Sequence, residues 1–277
     1  MLVLTPVSES IGATVTGLDL RVDQAADVRD TLNRALHEHG VLFVDCGDDL
    51  TDEDQKRFAA MFGTVHEYPF KAHDGDPFVL TLDSEVTPGG EATGDAAYGT
   101  DRWHTDGTVM DVPPQAGVLR PIVLPTRGGD TLYASMYAAY ESLSSRFQRL
   151  LDGLEAVHTT ESVYRARPAA RAANIFGAAT TAVHPVVVTD PITKRKLLYV
   201  NSNYTERIMG LSHAESDAVL RMLFDHVNTP EFHVRLRWDM KTMVIWENRV
   251  TQHRAVNDYR GRRVLRRVTV DGVPLAS

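Results

Sequence analysis

Val28, Leu32 and Leu36 recur at helical spacing between Asp23 and Gly40, and Gly40 supplies the residue that most easily closes a helix in a left-handed conformation. Val41 to Val44 is then continuously apolar and predicts a buried strand. Thr51 and Asp54 have the spacing of a capping box with Asp in place of Glu, ahead of Phe58, Met61 and Phe62 and a closing Gly63, so a second helix is expected there. Beyond it the apolar runs shorten to strand length at Phe78 to Leu82 and Gly117 to Leu124. Two helices are expected between about Ser135 and Leu154, and strands at Val183 to Val188 and Leu197 to Val200. A full S-x-x-E capping box at Ser212 and Glu215 starts a helix with Val219, Leu220, Leu223 and Phe224 on one side.

In the last third, Phe232, Val234, Leu236 and Trp238 alternate with His233, Arg235 and Arg237, the period of two of a strand with one buried face. Met243 to Trp246 and Val264 to Val270 follow as further strands. Many short strands, with helices before and between them and no regular strand–helix alternation, predict a mainly β sandwich or jelly roll with helical additions and argue against a parallel Rossmann sheet. Ser84 to Asp101 and Thr159 to Thr181 lack a clear period and are expected to be long loops, the natural candidates for lids.

Composition narrows the function classes. The 277 residues, 43% apolar and 24% charged, are those of a globular protein, expected as a single domain spanning 1–277 with a two-domain arrangement as the alternative. A net charge of -8 gives no electrostatic reason to expect nucleic acid or an anionic membrane as partner. Cys46 is the only cysteine, which excludes an intrachain disulfide and a thiolate metal cage and fits a reducing cytoplasm. Neither a signal peptide nor a membrane span is expected, a small molecule is the expected partner, and assembly into a homo-oligomer stays open.

The chemistry concentrates in W-H-T-D-G-T, where His104 and Asp106 are two residues apart. In an extended segment both side chains leave the same face, with Cα atoms roughly 6 to 7 Å apart, and both can reach one metal ion. One further histidine, for which His253 is the candidate, completes a facial triad that leaves coordination positions open. Alone, the pair is weak evidence for a metal and reads first as a surface histidine beside a solvated or turn-capping aspartate. Downstream, Arg263 and Arg267 lie four apart in a predicted strand and share a face, with Arg262 and Arg266 on the other. Two inward arginines call for an anion, and a dicarboxylate cosubstrate meets that need through bidentate contacts; a solvated basic edge strand is the alternative.

Taken in order, F-G-T-V-H, W-H-T-D-G-T, G-G-D-T-L-Y, L-Y-V-N-S-N-Y-T-E-R-I, I-W-E-N-R-V-T-Q-H-R-A and R-R-V-L-R-R give the chain a resemblance, over nearly its whole length, to the taurine dioxygenase (TauD/TfdA) family. That resemblance implies a double-stranded β-helix (jelly roll, cupin-like) and an Fe(II)- and 2-oxoglutarate-dependent dioxygenase that converts 2-oxoglutarate and O2 to succinate and CO2 while hydroxylating a small organic substrate. It implies His104, Asp106 and His253 as catalytic iron ligands, and Thr131 with Arg263 as the clamp on the distal carboxylate of 2-oxoglutarate. Arg267 takes the place of the arginine at the substrate anion, and Tyr204 an aromatic position lining the substrate pocket. Where the taurine enzyme holds its substrate this chain departs, offering Tyr68 and Lys71 after F-G-x-x-H and Thr100 in place of an Asn, so the expected substrate is a sulfonate, sulfate ester or carboxylate and taurine catabolism is not assured.

Two other classes use the same residues. A zinc hydrolase would employ the His/Asp/His set around a metal-bound water, which leaves Thr131 and Arg263 unexplained; a non-catalytic cupin-like binding protein would use the metal structurally, and a structural site closes its coordination sphere where only three ligands are visible in the sequence. His66, His158, His184, His213, His226 and His233 lack a partner at ligand spacing and are expected to pack or to face solvent.

Overall fold

The computed structural model describes residues 1–68, 76–85, 100–168 and 178–275. The chain begins with strands β1 (Val3–Pro6) and β2 (Ala13–Thr16), followed by helix α1 (Ala26–His39), β3 (Val41–Asp45), α2 (Asp52–Ala59), β4 (Leu80–Asp83) and β5 (Ala116–Val123). Then come β6 (Thr131–Ser135), α3 (Met136–Glu141), α4 (Ser145–Leu151), β7 (Glu155–Thr159), α5 (Thr160–Ala166), β8 (Thr181–Pro185), β9 (Val187–Thr189), β10 (Lys196–Leu198) and β11 (Thr205–Ile208). The last stretch holds α6 (His213–His226), β12 (His233–Leu236), β13 (Thr242–Glu247), β14 (Thr251–Ala255) and β15 (Val264–Val270).

A seven-stranded sheet in the order β1-β2-β3-β13-β5-β15-β4 faces a three-stranded sheet β12-β6-β14, and their facing side chains, Phe43, Leu119, Tyr133, Val234, Val244, Trp246 and Leu265 among them, form one apolar cluster. This is the jelly roll expected of the pattern. The outer face of the large sheet is covered by α1 and α2, which bury Leu32, Leu36 and Phe58 against Val44, Val118 and Ile245. Helices α3 and α6 close a further cluster around Tyr137, Leu198 and Leu223.

Local signals act where they were read. Gly40 caps α1 at φ +70°, and the Thr51/Asp54 and Ser212/Glu215 boxes are both reciprocal, each side chain accepting from the partner's backbone N–H. One segment departs from expectation. Thr159–Thr181 is not a continuous loop: Thr159 ends β7, its hydroxyl caps α5, and Thr181 opens β8, with 169–177 outside the described residues. Of Ser84–Asp101, residues 86–99 likewise lie outside them. Strand β1, at the sheet edge, and strands β6 and β14, beside the site, have no alternating apolar pattern that announces them, and β2 alternates Ala13 and Val15 with Thr14 and Thr16 over only four residues. Among the described residues, no helix is long and apolar enough to cross a membrane.

Candidate active site

His104 sits in an extended stretch that makes one antiparallel bridge to β14: its N–H donates to the His253 carbonyl (3.1 Å) and the His253 N–H donates back (2.9 Å). Paired in this way, residues far apart in sequence bring their imidazoles to 4.3 Å between ring centroids. Asp106, two residues on, points to the same side, with Oδ1 3.7 Å from His104 Nε2 and Oδ2 3.5 Å from His253 Nε2. One ligating atom from each residue lies within 4.8 Å of the others.

The protonation states suit a cation. His104 Nδ1 is 2.8 Å from the Arg102 carbonyl, which can only accept, so the proton is on Nδ1 and the Nε2 lone pair faces Asp106. Burial lowers the His104 pKa, and burial together with His104 pushes His253 down to about 3, so both rings are neutral near pH 7. Burial alone would raise Asp106, but the Arg267 guanidinium, its Nη2 2.9 Å from Oδ2, acting together with the His253 and His104 rings, outweighs it and holds the carboxyl well below the usual range. Two neutral imidazoles and one carboxylate form a donor set for a borderline divalent metal ion, and among the described residues they are too few to close a structural site. The His253 ring is held between Tyr133, stacked at 5.9 Å, and Trp246, at 4.9 Å between centroids.

Beside the triad, Arg263 and Arg267 both reach toward the small sheet, whereas Arg262 and Arg266 turn outward to Asp83 and Asp52. Arg263 is buried, donating from Nε to the Gly129 carbonyl (3.0 Å) and from Nη2 toward Thr131 Oγ1 (3.5 Å). The doublet Gly128-Gly129 permits this approach: both residues have positive φ, and a Cβ on Gly129 would lie 3.2 Å from Arg263 Cδ. Thr131 Oγ1 also accepts from Trp238 Nε1 at 3.0 Å. Arg267 donates from Nε to Thr269 Oγ1 (3.2 Å), which in turn contacts the Tyr68 hydroxyl (2.7 Å), and the Tyr204 ring lies edge-on to His104 at 6.3 Å.

Residues 4–269 match the family described as taurine catabolism dioxygenase TauD, TfdA family. The chain belongs to this family. An alkylsulfatase from Acinetobacter baylyi is 34% identical over 97% of this chain and 84% of its own, and an alpha-ketoglutarate-dependent sulfate ester dioxygenase from Pseudomonas putida is 36% identical over 96% and 88%. The crystal structure of a taurine dioxygenase from Burkholderia xenovorans superposes with a TM-score of 0.82 at 30% identity, covering 98% of this chain and 90% of that one. This TauD/TfdA member is thus a 2-oxoglutarate-dependent dioxygenase, a class to which small anionic substrates are suited.

Most of the dioxygenase's sequence-expected site residues converge: the three candidate ligands, Thr131, Arg263, Arg267, Tyr204 and Tyr68 surround one region. Thr100 is adjacent, its carbonyl accepting from Ala255 N–H at 2.6 Å, and Lys71 lies outside the described residues. His66 pairs with Asp271 and His158 and His184 pack in the interior, none of them at the triad. Sequence reasoning gave no role to Tyr133, Trp246 and Asn248, which contact the candidate ligands His253 and Asp106; the W-E-N-R motif was visible, but its partners are distant in the chain.

Proposed function

We propose that this dioxygenase binds Fe(II) through His104, Asp106 and His253, and acts on small organic sulfate esters. When bound, Fe(II) supplies the redox centre at which 2-oxoglutarate and O2 become succinate and CO2 and a substrate C–H bond is hydroxylated. Arg263 and Thr131 anchor the distal carboxylate of the cosubstrate: the guanidinium is already desolvated and braced by the Gly129 carbonyl, so its direction is fixed before the ligand arrives. Arg267, with Tyr68 behind it through Thr269, places positive charge beside the triad, where a sulfate head group would share a half-buried guanidinium with the Asp106 carboxylate. Tyr204 contributes an apolar ring face against the substrate chain.

With a hydroxyl on the carbon that bears the sulfate oxygen, the product is unstable: the C–O bond to sulfate breaks, the hydroxyl loses its proton, and an aldehyde and sulfate leave. The observation that carries this reading is Arg267 lying 2.9 Å from the Asp106 carboxylate inside a sequence matched along almost all its length by two sulfate-ester-acting relatives. The test compares linear alkyl sulfates, taurine and the corresponding alcohols for stimulation of succinate and sulfate release, in wild type and Arg267→Lys. Alkyl sulfates are expected to give both products and alcohols neither. Efficient turnover of the neutral alcohols, unaffected by Arg267→Lys, overturns the anion assignment while leaving the reaction class in place.

A further inference from the structure

Asn248 is buried in the turn between β13 and β14, outside the set of groups that would touch metal or substrate. Its side-chain Oδ1 accepts from the Asp106 N–H (2.9 Å), and its Nδ2 donates to both the Asp106 carbonyl and the Pro114 carbonyl (2.9 Å each). The amide is unambiguously oriented, because the flipped form would set an NH2 against an N–H and an oxygen against two carbonyls. Its own N–H donates to the Gln115 carbonyl at 2.7 Å, so it is braced against the entry to β5.

We infer that Asn248 is the positioning residue that aims the Asp106 carboxylate at the metal. An amide that pairs with both the N–H and the C=O of a single residue imitates a neighbouring strand. It fixes the peptide planes on both sides of that Cα, and with them the direction of the Cα–Cβ bond. Asp106 needs such help, because Gly107 with φ +66° turns the chain sharply away immediately after it. The two preceding residues have their own anchors: His104 uses its backbone bridge to His253, and the Thr105 hydroxyl donates to the Thr251 carbonyl at 2.9 Å. Every residue of H-x-D is therefore registered on the hairpin that carries His253. Without Asn248, the carboxylate would keep its side-chain contact with Arg267 but lose the backbone hydrogen bonds that fix its Cα–Cβ direction.

This inference rests on the proposed ligand set, and its test separates the two. Co(II) binding is followed through its visible d–d absorption, and apo-protein melting is recorded alongside. The variants are Asn248→Ala, Asn248→Asp, and Ser216→Ala, which loses one buried hydrogen bond, from the Ile208 N–H at 2.9 Å, in α6. The expectation for Asn248→Ala is a folded protein whose Co(II) affinity falls about 10- to 100-fold, the range for loss of a group that orients a ligand, with an altered d–d band. Asn248→Asp keeps the shape and the acceptor but sets a carboxylate against two carbonyls; it should weaken Co(II) similarly and carries the test if Asn248→Ala does not fold. Ser216→Ala should lower the melting temperature while its Co(II) affinity stays near wild type. Wild-type affinity and spectrum in a folded Asn248 variant, or an equal loss in Ser216→Ala, overturns the positioning role. If wild-type protein itself binds no Co(II), the ligand set fails, and the inference with it.

Discussion

Replacing Arg263 with Ala separates a cosubstrate clamp from a merely structural arginine. The guanidinium is 3% exposed and already engaged with Gly129 and Thr131, so a carboxylate bound to it is paired in a nearly water-free setting. Truncating one member of such a charge pair costs roughly 2 to 5 kcal/mol. Thr131 remains as one partner for the carboxylate, which places the expectation in the lower half of that range, at about 3 kcal/mol or about 150-fold in Kd. The assay is calorimetric titration of Mn(II)-loaded protein with 2-oxoglutarate and, separately, with 2-oxopentanoate, which keeps the 2-oxoacid end but has a methyl in place of the second carboxylate. Arg263→Ala should weaken the first by that factor and leave the second unchanged. Equal losses for both ligands, or none for 2-oxoglutarate, would refute the clamp.

Other consequences follow from the same geometry. Arg249 forks onto Glu247 with contacts of 2.8 and 2.9 Å in the turn that leads to β14, and Arg249→Met leaves a buried carboxylate without its cation; the expected loss is about 3 to 5 kcal/mol in urea unfolding, and a loss within error of zero would contradict it. Burial, with His184 nearby, pushes the His158 pKa from 6.5 to about 3, so folding keeps this ring neutral while the unfolded chain protonates it below pH 6.5. Its contribution is therefore present above pH 6.5 and lost as the pH falls toward 3. Wild type should lose about 1.4 kcal/mol per pH unit more than His158→Gln between about pH 6 and pH 4, and parallel curves would sink the assignment.

What was legible in the sequence was mostly local or strongly periodic. The two capping boxes span three residues each, and the α1 face repeats at fixed spacing, so neither needs knowledge of the tertiary structure. Strands β6 and β14 were hidden because the face that would show apolar alternation instead carries Thr131 and His253 toward the site. Helix α5 was hidden because its seven residues bury only Thr160, Val163 and Tyr164, too few to establish a period. Strand β1 is largely exposed at a sheet edge and shows no buried face at all. The candidate ligands and both arginines were legible through motif spacing together with the family resemblance. Asn248 was not, since its partner Asp106 lies 142 positions away and nothing in W-E-N-R says which backbone the amide will meet.

The most direct test of the central claim measures succinate, aldehyde and sulfate together, with a linear alkyl sulfate, 2-oxoglutarate and O2, in protein loaded with Fe(II) or with Zn(II). With Fe(II) the three products should appear in equal amounts, stop when O2 is removed, and be absent in His104→Ala, Asp106→Ala and His253→Ala proteins that still fold. Sulfate released by the Zn(II) form without O2, and without succinate or aldehyde, would contradict the account and identify a hydrolase built on the same three residues.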